Sequence, residues 1–153
     1  MATRSMIAYE TGSDTVRAIY CHHDGYPSHN GRILLNHYDD IEKVEELIDL
    51  GNLSVLSKEI GEKQDFDQPT DRNWCLAYGR DRGETGIEFK TFFNEDELFA
   101  GIDAEYFYVM NDGVWLVSTG GEWKVLSDAI REEDEPGFKA PSVTRFIGML
   151  ESV

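Results

Sequence analysis

The four histidines of the chain, His22, His23, His29 and His37, fall within sixteen residues. Histidine titrates near neutral pH and serves as base, donor or metal ligand, so proton chemistry would be done here. The segment Tyr20-Cys21-His22-His23-Asp24-Gly25-Tyr26-Pro27-Ser28-His29-Asn30-Gly31 supplies the partners. Asp24 can orient an imidazole. Tyr20 and Tyr26 offer ring faces with polar tips, and Asn30 completes the candidate set.

Three kinds of chemistry can be weighed on these residues. A metal site would take His22 or His23 with Asp24 and His29. Zinc wants three or four ligands in tetrahedral array, and adjacent strand residues point to opposite faces. No H-E-x-x-H or paired-cysteine spacing is present, so no metal and no cofactor is expected. Nucleophilic catalysis needs Ser or Cys beside a base. Cys21 adjoins His22, but in a strand the two side chains point apart. There is no G-x-S-x-G and no phosphate-cradling glycine loop. The H-x-[ST] pairs of two-histidine phosphoesterases are also missing: His23-Asp24 follows His22, and Asn30-Gly31 follows His29. Acid–base catalysis by a histidine with Asp24 stays open, but binding without turnover is the first expectation.

A second polar segment is Arg80-Asp81-Arg82-Gly83. Arginine presents a planar fork that suits phosphate or carboxylate. The alternative is internal, with the arginines pairing to nearby carboxylates and stiffening a turn. Trp74, Trp115 and Trp123 lie in strand-like patterns and read as core rather than as a stacking platform.

The elements that must position these segments are legible in outline. Residues 4–10 and 15–21 read as a hairpin turning at Gly12-Ser13-Asp14, which delivers the chain to the histidine loop. Ser28 or Asn30 can cap a short helix carrying Ile33, Leu34, His37 and Tyr38. Asp39 with Glu42 is a capping box for a helix through Ile41, Val44, Leu47 and Ile48, closed by Gly51. Residues 52–60 are ambiguous, and 61–73 read as a loop. Trp74 to Tyr78 and Ile87 to Thr91 read as strands, and Asn94 with Glu97 as the cap of a helix to Ala100. Tyr106–Met110, Val114–Ser118 and Trp123–Leu126 form a meander through Asn111-Asp112-Gly113 and Gly120-Gly121. Glu132 to Glu135 reads as a solvated loop. Val143, Phe146, Ile147 and Leu150 close the chain as an amphipathic helix. The expectation is one α+β domain over 1–153. Its sheet is mainly antiparallel, an N-terminal hairpin plus a C-terminal meander, packed with three to four short helices.

Composition narrows the partners. Of 153 residues, 14 are Lys or Arg and 30 are Asp or Glu, for a net charge of −16. Such a field repels nucleic acid, whose affinity comes mainly from cations on phosphates, and it disfavours anionic membranes. It would speed encounter with a basic protein, and the acidic groups Asp39–Asp49 and Asp128–Glu135 could mimic phosphates in such a partner's groove. No segment approaches the ~20 apolar residues of a membrane span. Cys21 and Cys75 form no C-x-x-C pair and are expected as reduced thiols in a cytoplasm.

The motif Ile19-Tyr20-Cys21-His22-His23-Asp24-Gly25-Tyr26-Pro27, the later Leu34, Leu35, Tyr38, Val44, Leu47, Ile48, Gly51 and Leu53-Ser54, and Tyr78-Gly-Arg-Asp-Arg-Gly-Glu84 resemble a family of small uncharacterised proteins of tailed bacteriophages and some bacteria. The likeness covers about the first 85 residues. His23 stands where that family has tryptophan, and imidazole stacks less strongly than indole. The resemblance implies a phage accessory protein and carries no activity with it; because small phage accessory proteins often act against bacterial defence, counter-defence in the host cytoplasm is the expectation. The expected function is to bind and sequester a small nucleotide-like ligand. The expected site comprises Tyr20, His22, His23, Asp24, Tyr26, His29 and Asn30, completed by Arg80, Asp81 and Arg82. Two alternatives remain: an acidic inhibitor that fills a basic groove of a host enzyme, and a His/Asp-dependent nucleotide hydrolase or lyase. Homo-oligomerisation is left open.

Overall fold

Strand β1 (Ser5–Glu10) pairs antiparallel with β2 (Val16–Cys21), from Ser5 opposite Cys21 to Glu10 opposite Val16. The computed structural model, which describes residues 2–101, 103–146 and 149–152, carries the sheet on from this hairpin. Alternation along the strands divides the core. Ile7, Tyr9, Ile19 and Cys21 enter one buried cluster, whereas Met6, Ala8, Val16 and Ala18 enter another, as the two-residue period of a strand requires.

A π-helical turn (Pro27–Gly31) runs into α1 (Arg32–His37), followed by α2 (Ile41–Asp49), β3 (Leu53–Val55), β4 (Leu76–Ala77) and α3 (Tyr78–Arg82). Then come β5 (Lys90–Phe92), α4 (Glu95–Gly101), β6 (Tyr106–Asn111), β7 (Val114–Ser118), β8 (Trp123–Val125), α5 (Leu126–Asp134), β9 (Ser142–Phe146) and β10 (Met149–Ser152). Among the described residues the strands form one ten-stranded sheet in the order β10-β9-β8-β7-β6-β1-β2-β3-β4, with β5 on β2.

The expected mainly antiparallel sheet is therefore corrected to a mixed one. At its centre β6 runs parallel to β1, from Ser5 opposite Tyr106 to Tyr9 opposite Met110, and β3 joins β2 in parallel at Cys21 and Leu53. Hairpin turns fix only strands adjacent in sequence. The join between hairpin and meander spans most of the chain and carries no local turn signal. The helices are also more numerous than expected, at five α-helices among the described residues.

Three local expectations change as well. The chain end is not the amphipathic helix expected through Val143, Phe146 and Leu150: β9 pairs with β8, and β10 with β9. Ile147, the fourth residue of that pattern, lies outside the described residues. The β-branched Val143 and Thr144 favour a strand, and β8 offers an edge to pair with. Glu132 to Glu135, expected as loop, lies largely in α5, whose buried stripe of Leu126, Ala129 and Ile130 holds the acidic side in water. The strand expected over Trp74 to Tyr78 is only two residues long and turns at Tyr78 into α3, because Asp81 Oδ2 accepts the Ala77 N–H at 2.8 Å.

Helices cover both faces of the sheet. Leu34, Val44, Leu47, Ile48, Leu126 and Ile130 pack α1, α2 and α5 on the face that carries Tyr108, Met110, Trp115 and Val117. Leu98 and Phe99 of α4 cover Phe107, Val109, Leu116 and Trp123 on the other. Asp40, not the expected Asp39, caps α2 by accepting the Glu42 N–H at 3.1 Å. Asn94 caps α4 reciprocally with Glu97, at 2.9 and 3.2 Å.

Candidate functional site

The histidine loop is held from several sides. Beyond Cys21, the His22 and His23 N–H groups donate to Leu53 O and Ser54 O at 3.0 and 3.1 Å, prolonging the β2–β3 pairing. Asp24 then turns the chain with φ of 57°, a left-handed conformation that Asp tolerates better than most residues. Gly25 follows in a place with no room for a side chain. A Cβ there would lie 2.8 Å from both Ser5 Cβ and Thr3 O. Its N–H donates to Thr3 O at 2.9 Å, and its carbonyl accepts the Tyr108 hydroxyl at 2.6 Å. Asn30, fully buried, closes the loop. Its Nδ2 donates to His23 O at 3.0 Å and to Cys21 Sγ at 3.5 Å, and its N–H to Asp24 O at 3.2 Å.

These bonds decide what each histidine can do. The Asn30 amide nitrogen is spent as a donor, so its Oδ1 must be the acceptor toward His29 Nδ1, 3.1 Å away. His29 therefore carries its proton on Nδ1, and in the neutral ring Nε2 keeps a free lone pair. Tyr26, exposed, lays its ring edge-on to His29 with centroids 5.9 Å apart. His22 belongs to a different environment. Its Nδ1 lies 2.6 Å from the Tyr20 hydroxyl, and its ring meets His23 edge-on at 4.6 Å. Burial, then His23 and then Arg4, lower the His22 pKa. Burial raises that of Tyr20. The pair is thus a neutral imidazole against a protonated phenol.

His29 shares a groove of about 340 Å³ with His37, which was not among the candidate residues. Asp24, His29, Ile33 and His37 line one wall; Val55, Leu56, Ser57 and Lys58 line the next; Arg72 and Asn73 complete it. His29, Ile33 and His37 recur every fourth residue, the spacing that places side chains on one helix face. The walls are tied together. The Tyr38 hydroxyl, at the end of α1, donates to Ser57 O at 2.7 Å, and Ser57 Oγ donates to Arg72 O at 3.1 Å.

Among the described residues most cations are already engaged, namely Arg4, Arg32, Arg80, Arg82, Lys124 and Arg131 in ion pairs, and Arg17 and Lys43 over aromatic rings. Lys58 and Arg72 have no ion-pair partner among the described residues. The groove thus joins two uncommitted cations and two histidines to an apolar floor. A second concavity of similar size, about 320 Å³, presents Glu122, Glu132 and Glu133 around Lys124. There Lys124 is paired with Glu132 at 3.0 Å, so that concavity repels anions.

Of the Arg80-Asp81-Arg82 segment, Arg80 and Asp81 face inward, whereas Arg82 is exposed. Arg80 Nε and Nη2 donate to Asp81 at 2.9 and 3.1 Å, Nη1 to Ile60 O at 2.9 Å, and Nη2 also to Cys75 O at 2.7 Å. Asp81 accepts the Gln64 N–H as well, at 2.9 Å. Burial alone would raise the Asp81 pKa, but Arg80 and the Ala77 and Gln64 N–H groups hold it below the ordinary carboxylate value. Arg82 pairs with Glu84 and lies over the rings of Phe66 and Tyr78, 4.4 and 4.9 Å from their centroids. None of these three lines the groove. They anchor the segment that carries it, because Gln64, bound to Asp81, accepts the Thr70 and Asp71 N–H groups just before Arg72. Of the candidate residues, the structure brings Asp24 and His29 to the groove, with Asn30 behind His29 and Tyr26 beside it. Tyr20, His22 and His23 lie apart.

Lys58 and Arg72 carried no sequence signal beyond the scarcity of cations. Among the described residues no group of three His, Cys, Asp or Glu is placed to hold a metal ion, and no helix is long and apolar enough to cross a membrane. Comparison of the chain with protein-family models, with curated proteins and with solved structures finds no match.

Proposed function

We propose that this protein binds a small phosphate-bearing anion, of nucleotide type, in the groove between α1, β3 and the segment before β4. One observation carries the reading: Lys58 and Arg72, both without an acidic partner among the described residues, line the same cleft as His29 and His37 in a chain of net charge −16. Arginine and lysine suit phosphate oxygens, imidazolium adds a third donor type, and Ile33, Val55 and Leu56 offer an apolar surface for a base. The overall negative field limits the ligand to few charges. The resemblance to phage accessory proteins supports a setting in which such a ligand is withdrawn from a host defence receptor.

Calorimetry with inorganic phosphate, mononucleotides and cyclic dinucleotides tests the proposal. A heat of binding that falls at least ~10-fold in affinity in the K58E/R72E double variant is expected, since each charge-assisted contact contributes about 1.5–3 kcal/mol. No heat with any of these anions, or an unchanged affinity in the variant, refutes it.

A second reading has an observation of its own. The outer sides of α2 and α5, on the same sheet face, expose Glu42, Glu45, Glu46 and Asp49, and Glu133 and Asp134. That layer suits a basic groove of a host enzyme. Capture of such an enzyme that weakens steeply with salt would favour it, and salt-insensitive capture would count against it.

A further inference from the structure

We infer that the groove also turns its ligand over, cleaving a short ribonucleotide phosphodiester by attack of the ligand's own 2′-hydroxyl. The inference rests on the phosphate-binding reading above and deepens it. Three features of the groove carry it.

The first is the state of His29. Its Nδ1 proton is held by Asn30 Oδ1 at 3.1 Å, and Asn30 is itself fixed by His23 O and Cys21 Sγ. Nε2 is left as a lone pair of known direction, which is what a general base requires. The second is the distance to the other histidine. His37 lies eight residues on, two helical turns and at most about 12 Å along the axis at 1.5 Å per residue. Two imidazoles reaching inward from such positions can flank one phosphodiester. The third is the want of a protein nucleophile. Ser57 Oγ is committed to Arg72 O, and Cys21 and Cys75 are buried. Histidines and cations with neither nucleophile nor metal ligands form the set that suffices when the substrate brings its own nucleophile.

The step balances without a co-reactant. His29 Nε2 takes the 2′-hydroxyl proton as O2′ bonds to phosphorus. The P–O5′ bond breaks, and its electron pair leaves on O5′, which takes a proton from the His37 imidazolium. The products are a 2′,3′-cyclic phosphate and a 5′-hydroxyl. Exchange with solvent then returns both histidines to their starting states. Lys58 and Arg72 face the charge that builds on the equatorial phosphate oxygens, the place where fixed cations lower a barrier. Among the described residues Asp24 is the one carboxylate lining the groove, and it opposes the approach of longer polyanions.

The test uses the full chain with adenylyl-(3′→5′)-adenosine and with the analogue whose first sugar is 2′-deoxyribose. Phosphorus NMR reads the cyclic phosphate, and calorimetry reads binding of the unreactive deoxy analogue. Cleavage of the ribose form only is expected, reduced at least ~100-fold in H29Q and in H37Q, a loss well beyond whatever fall in deoxy-analogue affinity the same variants show. Binding without cleavage overturns this inference and leaves the binding proposal standing. Absence of deoxy-analogue binding overturns this inference, and it overturns the binding proposal as well where phosphate, mononucleotides and cyclic dinucleotides also give no heat. Cleavage undiminished in H29Q and H37Q, with circular dichroism showing both folded, assigns the activity elsewhere and also overturns it.

Discussion

Replacing Asp81 with asparagine should cost about 3 kcal/mol and loosen the wall of the groove. The carboxylate accepts the Gln64 and Ala77 N–H groups and two Arg80 N–H groups, at 2.9, 2.8, 2.9 and 3.1 Å. The amide of D81N would keep the shape but turn a donor toward donors, and it would leave Arg80 without its counter-charge. Breaking a buried ion pair by removing one partner costs about 3–5 kcal/mol. Arg80 keeps Ile60 O and Cys75 O as acceptors, and its side chain is 16% exposed, so the lower end applies. In a chain of this size 1 kcal/mol moves the melting temperature by about 2–4 °C, which gives a fall of roughly 6–12 °C by thermal denaturation at pH 7.

Acid should erase that difference. The folded Asp81 pKa lies below its unfolded value, so its contribution is present above the unfolded pKa and lost as pH falls through the folded one. Wild type should therefore lose stability below about pH 4 in a way that D81N does not, and the two melting curves should converge. A variant that melts within about 2 °C of wild type at pH 7 would refute the view that this pair anchors residues 60–77. Because Arg72 hangs from the same network through Gln64, D81N should also weaken phosphate binding without touching the groove.

Gly25→Ala should destabilise by about 1–3 kcal/mol by overpacking, since its Cβ would meet Ser5 Cβ and Thr3 O at 2.8 Å; Gly12→Ala, with nothing within 4 Å, should change stability by no more than about 0.5 kcal/mol. Paired urea titrations check both. The Cys21 thiol, its pKa pushed up to about 12 by burial, should resist a disulfide reagent at pH 8 and react only as fast as the protein opens, which a parallel unfolding-rate measurement checks.

Legibility in the sequence followed the range of the interactions. The hairpin β1–β2, the meander β6–β7–β8 and the cap of α4 were legible because turn and cap chemistry acts over two to five residues, and the cap of α2 was missed by one residue, Asp40 standing where Asp39 was expected. The parallel β1–β6 pairing was not, because it joins segments about a hundred residues apart and its energy comes from both faces at once. The C-terminal segment shows the competition directly. Val143, Phe146 and Leu150 fit a helical period, yet pairing with β8 and β9 won. A helix satisfies its own backbone, whereas a strand edge already formed by β8 offers both hydrogen bonds and a continuing apolar surface.

The candidate site was legible only in part, for a reason that lies in how loops and ligands are held. Residues close in sequence are best placed to bind one another. Asn30 to His23 O and Cys21 Sγ, Tyr20 to His22, and Arg80 to Asp81 are all such local bonds, and they spend the polar groups that made both motifs conspicuous. A ligand must instead be met from several sides, so its contacts come from segments that the fold alone brings together. Lys58 and Arg72 stand fourteen residues apart and meet through Ser57 and Arg72 O. His29 is the point where the two principles join, because one nitrogen is spent on holding the loop and the other is left for the groove. His22, whose Nδ1 is spent on Tyr20 outside the groove, is accordingly the weaker candidate although it sits in the denser motif.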